Sequence, residues 1–106
     1  MSKRALAPSS ELTEKKSFHF IGIGGIGMSG LATIILEKGL FRVSGSDLKT
    51  GGVVDLLKQR GADIVQGHAR EFLPEGASAV VVSSDIPLDN PELVEAKRRE
   101  IGRAHV

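Results

Sequence analysis

The feature that most constrains this sequence is a glycine-dense loop between a strand-like run and a helix-like segment. Residues 22–27 are Gly-Ile-Gly-Gly-Ile-Gly and match the pattern G-x-G-x-x-G. The four residues before the loop, 18–21, are apolar or aromatic apart from one histidine, as in a buried parallel strand. From Met28 the apolar residues recur at helical spacing, and Gly39 is a suitable residue to end a helix. The context predicts a strand–loop–helix unit of the Rossmann type.

Each glycine of this loop has an expected role. Gly22 permits the tight turn off the strand, Gly24 lets the backbone approach a ligand, and Gly27 lets the helix lie near the sheet. The helix then directs its free amides at the loop, which favours a phosphate there, and Ser29 can add a hydroxyl donor. The alternative is a loop selected only for close packing. The sequence has no Gly-Lys-Ser/Thr, so the loop is not a P-loop.

Strand-like and helix-like segments alternate along the rest of the chain. Thr50 is predicted to cap the second helix, and Asn90, followed by Pro91, the last one. Residues 104–106 are a candidate fifth strand. Further strands are predicted at residues 41–45, 63–66 and 79–83. This order predicts an α/β fold: a Rossmann-like open parallel sheet of four to five strands with helices on both faces.

Length and charge limit the organisation and the ligand. At 106 residues the chain is expected to form one domain, residues 18–106, preceded by a disordered tail, residues 1–17, and to be a fragment of a longer protein. The chain has fourteen basic and thirteen acidic residues, so it lacks the surplus of basic residues that would indicate a nucleic-acid ligand. The tail lacks the apolar core of a signal peptide or membrane span. There is no cysteine, which excludes disulfides and thiolate sites.

Polar residues follow the predicted strands, where open α/β sheets bind their ligands. Asp47 lies 20 residues beyond Gly27, the position of an acid that binds a ribose or base, although a turn aspartate is equally compatible with the spacing. His68 follows the third strand and could reach the same edge. His19 and His105 are expected to be packing or edge residues, and the scattered histidines predict no metal site. Ligand contacts or turn-closing roles are both open for Ser83, Ser84 and Asp85.

Several separate motifs together resemble the Mur ligase family. The stretch 19–30 is similar to the opening signature of that family, and Met28 with the two residues after it favours the alanine-adding branch. Residues 44–48, 67–68, 82–84 and 89–92 also match in order and spacing. The likeness extends over nearly all of residues 18–101.

The resemblance implies that this is the N-terminal domain of a three-domain ligase and that it holds the UDP part of UDP-N-acetylmuramate. The implied contacts to the diphosphate are Gly24, Gly25, Ile26, Gly27, Met28 and Ser29. Those implied around the uridine are Asp47, His68, Ser83, Ser84, Asp85 and Ile86. Asp85 departs from the family pattern, which more often has a small apolar residue at this position. Its carboxylate would be unfavourable beside a diphosphate unless it points away or accepts a uracil N–H.

The resemblance also implies a cytoplasmic enzyme of peptidoglycan precursor synthesis that uses ATP with Mg²⁺ to activate the muramate carboxylate for attack by L-alanine. The groups that bind ATP and magnesium would lie in the central and C-terminal domains, absent from this chain. This chain is therefore expected to have no catalytic residue, to bind no cofactor, nucleic acid or membrane, and to be inactive alone. The alternatives are an NAD-binding Rossmann module of a dehydrogenase or regulatory sensor, and a non-catalytic interaction domain.

Overall fold

A computed structural model describes residues 15–106, in which five strands alternate with three helices. The strands are β1 (Lys16–Ile21), β2 (Phe41–Asp47), β3 (Asp63–Gln66), β4 (Ala79–Val82) and β5 (Gly102–His105). The helices are α1 (Ile26–Lys38), α2 (Gly52–Gln59) and α3 (Pro91–Arg98), and a 3-10 turn spans Arg70–Phe72. Within residues 15–106 no helix combines the length and apolar character needed to cross a bilayer.

All five strands are parallel and form one sheet in the order β3-β2-β1-β4-β5. At the centre of the sheet, Phe20 of β1 pairs with Gly45 on one side and with Val81 on the other. The chain moves outward from β1 to β3 and then crosses back to β4. The topological switch point therefore lies between β1 and β4, where open α/β sheets bind ligands. The predicted fold class is confirmed.

Apolar residues cover both faces of the sheet. On one face, Phe20 and Val43 pack with Met28 and Ala32 of α1 and with Leu57 of α2. On the other face lies a second core cluster, formed by Ile21, Leu73, Val80, Val82, Leu93 and Ala96. Full burial of one large aliphatic or aromatic side chain contributes about 1.5–3 kcal/mol, so these two layers supply most of the driving force for folding.

Several predicted boundaries were displaced or wrong. Strand β1 begins at Lys16, not at residue 18, because Lys16 and Ser17 pair with β2 although they are polar. The rest of the predicted tail, residues 1–14, lies outside the described residues. Helix α1 begins two residues earlier than predicted, and β5 begins at Gly102. Thr50 does not cap α2: the N-cap is Gly51, without a side-chain hydrogen bond.

Two glycines are required by the backbone around the switch point. Gly22 has φ +83°, which confirms its predicted role in the turn off β1. Gly45 was not singled out by its sequence. A Cβ there would lie 2.7 Å from Cδ1 of Ile23 and 2.9 Å from the carbonyl oxygen of Phe20. The close approach of Ile23 to β2, which anchors the start of the glycine loop, therefore depends on glycine at position 45.

Candidate functional site

A cavity of about 470 Å³ opens at the carboxyl edge of the sheet. Its walls come from the glycine loop after β1, the segment 47–54 after β2, His68 after β3, and the turn after β4. Four successive strand ends therefore contribute to one site at the switch point. This is the position at which the sequence predicted a ligand.

The predicted site residues divide into two groups. Those that line the cavity are Gly24, Gly25, Asp47, His68, Ser83, Asp85 and Ile86. Those that do not line it are Ile26, Gly27, Met28, Ser29 and Ser84. The side chain of Met28 is buried in the core, and the hydroxyl of Ser29 donates to the carbonyl of Ile26 at 3.2 Å. None of these five residues therefore contributes to the cavity wall.

The N-terminus of α1 has no capping side chain. Gly25 is its N-cap, and the first intrahelical bond runs from the Ser29 amide to the Gly25 carbonyl at 2.8 Å. Among the described residues, no acceptor is assigned to the amides of Ile26, Gly27 and Met28, and the first turn carries no acidic side chain. Exposed amides at a helix N-terminus, together with the helix dipole, favour an anion.

A second helix begins at the same cavity. Helix α2 has Gly51 as its N-cap, and its first intrahelical bond is donated by Asp55. Its first residues Gly52, Val53 and Val54 line the cavity, and their amides have no assigned acceptor in the part of the chain described. This second donor group was not predicted from the sequence. The pair of glycines at 51 and 52 was its signal, because a helix that starts at glycine lacks a capping side chain.

Asp47 connects two walls of the cavity. Its Oδ2 accepts a hydrogen bond from the Gly24 amide at 2.8 Å, and its Oδ1 accepts one from the Lys49 amide at 3.0 Å. A Cβ on Gly24 would lie 2.9 Å from that Oδ2, so glycine at this position admits the carboxylate of Asp47. The Gly24 amide is therefore already satisfied within the protein. The exposed side chain of Lys49 also lines the cavity and is a cation at its mouth.

The turn after β4 closes the remaining side. The Asp85 amide donates to the Ser83 hydroxyl oxygen at 3.3 Å, and the Ser84 amide donates to the Val106 carbonyl at 2.9 Å. Val106 is also the closest neighbour of a Cβ built on Gly27, at 3.3 Å, so the near approach at that glycine is to the end of β5 and not to the central strands. Asp85 is exposed, so water is available to its carboxylate.

A buried polar cluster lies behind His68. We call it the Glu92 cluster; it comprises Glu92, His19, Ser44, Ser46 and His68. Glu92 Oε1 is 2.6 Å from His19 Nε2 and accepts the Ser46 hydroxyl at 2.6 Å. Glu92 Oε2 is 3.1 Å from His68 Nδ1. Nδ1 of His19 is 2.7 Å from the Ser44 hydroxyl oxygen. The sequence expected His19 to be a packing residue, and it is fully buried in this cluster.

The carboxylate of Glu92 has no exposed surface and still remains a strong acceptor. Burial alone raises the pKa of Glu92, but hydrogen bonds from His19, Ser46 and His68 outweigh burial and lower the pKa below its ordinary value. The Ala69 amide also donates to its Oε2 at 3.1 Å. Both carboxylate oxygens are thus fully hydrogen-bonded.

The residues do not fit ATP or magnesium. The sequence has no P-loop lysine, and within residues 15–106 no three His, Cys, Asp or Glu side chains group as metal ligands would. The cavity instead offers backbone amides, one lysine, one histidine and two carboxylates.

The fold and the cavity define a Rossmann-like α/β domain, and comparison with known proteins specifies its family. A family model described as "Mur ligase family, catalytic domain" matches residues 17–105. The chain belongs to the Mur ligase family, which confirms the resemblance seen in the sequence motifs.

Relatives support this assignment. The UDP-N-acetylmuramate–L-alanine ligase of Aquifex aeolicus is 58% identical over 86 residues, which are 81% of this chain and 18% of that protein. The crystal structure of the UDP-N-acetylmuramate–alanine ligase of Thermotoga maritima has a TM-score of 0.78 and 29% identity, over 84% of this chain and 20% of that one. A UDP-N-acetylmuramate:L-alanyl-γ-D-glutamyl-meso-diaminopimelate ligase structure from Neisseria meningitidis has a TM-score of 0.74 and 32% identity, over 87% of this chain and 29% of that one. The chain thus spans about a fifth of the length of the curated relatives it matches.

Proposed function

We propose that this chain binds the UDP part of UDP-N-acetylmuramate and serves as the substrate-holding domain of a ligase that attaches L-alanine. The observation that carries the proposal is the meeting of two uncapped helix N-termini, those of α1 and α2, at one cavity of the switch point. Proteins whose names specify a UDP-linked muramate as substrate share this domain. Free amides at helix N-termini are suitable donors to the oxygens of a diphosphate, and these two helices supply them.

The diphosphate would lie against the start of α1. The amides of Ile26, Gly27 and Met28 would donate to its oxygens, and Gly24 and Gly25 would leave room for it. Ser29 would add its hydroxyl by turning away from the Ile26 carbonyl. Lys49 would contribute a screened attraction from the cavity mouth.

The uridine would occupy the deeper part of the cavity. Asp47, His68 and the segment 83–86 would surround it, with Ile86 and Val54 as its apolar contacts. The exposed carboxylate of Asp85 is compatible with this arrangement if it accepts the uracil N–H or remains in water. Ser83 and Ser84 would complete the edge.

In the longer protein, ATP and Mg²⁺ would activate the muramate carboxylate in the cytoplasm, using residues outside this chain. Because the residues present fit neither group, we assign no catalytic residue here. We expect the isolated chain to form no amide with L-alanine, and its partners to be the central and C-terminal domains.

Calorimetric titration of the chain with UDP-N-acetylmuramate, UDP and NAD tests the proposal. We expect both uridine nucleotides to bind at the same single site, and NAD to give no heat of binding. The variant His68→Ala, which removes a cavity residue, should bind UDP more weakly than wild type. Its matched control is His105→Ala, because His105 is an exposed residue of β5 that does not line the cavity. Binding of NAD without UDP would instead establish a nicotinamide module.

A further inference from the structure

His68 connects the Glu92 cluster with the cavity. His68 is the member of the cluster that also lines the cavity, and its side chain is 12% exposed. The Nδ1 atom is directed inward, 3.1 Å from Glu92 Oε2 and 2.9 Å from the Ser46 hydroxyl oxygen. No protein partner is assigned to its Nε2 among the described residues. The Nε2 edge is therefore the one left for a ligand.

Proton positions in the cluster follow from counting donors. A carboxylate can only accept, so the Ser46 hydroxyl, 2.6 Å from Glu92 Oε1, donates its single hydrogen to that oxygen. The Ser46 oxygen then has only lone pairs to offer His68. Both neighbours of His68 Nδ1, Ser46 and Glu92, are consequently acceptors, and Nδ1 must carry a hydrogen. In a neutral imidazole the other nitrogen, Nε2, is then an acceptor.

The same carboxylate imposes the opposite pattern on its second histidine. Nε2 of His19 lies 2.6 Å from Glu92 Oε1 and must donate to it. The Ser44 hydroxyl can donate to His19 Nδ1 at 2.7 Å, since it has no other assigned acceptor in the described chain. His19 is thus an internal reference, because the two histidines share one carboxylate through different ring nitrogens.

We propose that Glu92 and Ser46 are positioning residues that hold His68 with its proton on Nδ1, so that Nε2 presents a hydrogen-bond acceptor to the cavity. A ligand must then bring a donor to this point, such as a ribose hydroxyl or a ring N–H. A phosphate oxygen, which only accepts, is excluded from this point, so His68 directs the nucleoside and not the diphosphate to the end of β3. This inference rests on the proposed function, in which the cavity binds a uridine nucleotide.

The ring ¹⁵N signals of the three histidines in the ¹⁵N-labelled chain test the inference directly. Spectra are recorded at about pH 8, above the ordinary histidine pKa of about 6.5. We expect hydrogen on Nδ1 of His68, hydrogen on Nε2 of His19, and a shift of the His68 Nε2 signal toward lower frequency when UDP is added. A hydrogen on His68 Nε2 in the ligand-free chain would overturn the proposal.

Two variants separate positioning from general stability. In both Glu92→Gln and Ser46→Ala we expect the Nδ1–H form of His68 to lose its dominance and the affinity for UDP to fall about 2- to 10-fold, the effect of one hydrogen bond. Ser44→Ala is the matched control, because Ser44 lies two residues before Ser46 in β2 and its hydroxyl hydrogen-bonds to His19, with no bond to His68, Glu92 or Ser46. It should leave both readouts unchanged. If Glu92→Gln does not fold, Ser46→Ala carries the test.

The outcomes distinguish this inference from the proposed function. A chain that binds no UDP but has the expected His68 tautomer contradicts the proposed function and the role of Nε2 in recognition, while the positioning by Glu92 stands. A chain that binds UDP with equal affinity in wild type, Glu92→Gln and Ser46→Ala contradicts the inference and leaves the proposed function intact.

Discussion

The N-terminus of α3 and those of α1 and α2 are built in opposite ways. At α3 the Asn90 side chain accepts hydrogen bonds from the amides of Glu92 and Leu93, at 2.9 and 3.2 Å, and Pro91 occupies the first turn. Helices α1 and α2 start at glycines whose side chains can accept nothing. The capped helix begins over the buried Glu92 cluster, and the uncapped helices begin at the cavity. Hydrogen-bond donors are therefore satisfied where the fold needs rigidity and left available where a ligand is proposed.

The largest effect on stability should come from removing the carboxylate of Glu92, in the buried cluster at the capped helix α3. We expect Glu92→Ala to lower the free energy of unfolding by about 3–5 kcal/mol, because His19, Ser46 and the Ala69 amide lose their buried acceptor. Denaturant unfolding measures the loss. The exposed Glu75 provides the control, and Glu75→Ala should change stability by less than about 0.5 kcal/mol. A loss below about 1 kcal/mol for Glu92→Ala would show that the cluster is not tightly coupled to the fold.

Adding a charged N-cap residue to the uncapped helix α1 should change ligand binding while leaving stability nearly unchanged. Gly25 has φ −65°, and a Cβ there meets neighbours only at 3.5 Å and beyond, so Gly25→Asp fits the backbone. We expect stability to change by only a few tenths of a kcal/mol. UDP should bind on the order of tenfold more weakly, because the new carboxylate occupies the place of the diphosphate at the helix N-terminus and repels it. Gly25→Ser supplies a neutral cap and should weaken binding less. Unchanged affinity in Gly25→Asp would place the diphosphate elsewhere.

Alanine substitutions at Asn90, the N-cap of α3, and at Thr50, the predicted cap of α2, test the same comparison by stability alone. Asn90→Ala should cost about 1 kcal/mol, the usual value of a lost N-cap. Thr50→Ala, at the position that the sequence predicted to be a cap, should cost less than about 0.5 kcal/mol, because α2 begins at Gly51. Thermal and urea unfolding of both variants provide the measurement. Equal losses in the two variants would mean that Thr50 caps α2 in solution.

The smallest effect we expect is on the stability of the fold at acid pH, and it involves Glu95, near the C-terminal end of α3. Hydrogen bonds from Arg98 and Arg99 lower the pKa of Glu95 from 4.5 to about 2. A lowered folded pKa stabilises the fold above pH 4.5, and this contribution disappears as the pH falls toward 2. Stability measured from pH 5 to pH 2 should therefore fall less steeply in Glu95→Gln than in wild type. Glu75→Gln should follow the wild-type slope; a Glu95→Gln slope equal to wild type would refute the pairing.

The sequence predicted the sheet because the strands and the glycine loop are local patterns. Residues 79–82 are β-branched or small, and the loop of residues 22–27 is followed by a helical repeat, so each element is visible within a few residues. The start of β1 was misplaced because Lys16 is in the strand through its pairing with Phe41, a partner 25 positions away. Local polarity carries no information about that pairing.

The buried cluster was missed for a related reason. His19 and Glu92 are 73 residues apart, and only the finished sheet brings them together. A signal was present: Ser44 and Ser46 alternate on one face of β2, beside a histidine in the neighbouring buried strand. Polar residues on the inner face of a sheet require a partner, and a glutamate in the first turn of α3 is that partner. The residues of the candidate site that lie after β1, β2, β3 and β4 were predicted from the positions of the strand ends. The donors of α2 were not, because Thr50 was predicted to cap that helix and so to satisfy its first amides.

The most direct test of the account is a two-dimensional ¹H–¹⁵N titration of the labelled chain with UDP-N-acetylmuramate, with UDP and NAD in parallel. We expect both uridine ligands to shift the amides at the start of α1, those of Ile26, Gly27 and Met28, together with those at the start of α2, Gly52, Val53 and Val54. The capped amides of Glu92 and Leu93 should not shift, and NAD should have no effect. Shifts caused by NAD alone, or uridine-dependent shifts that leave both uncapped helix starts unmoved, would contradict it.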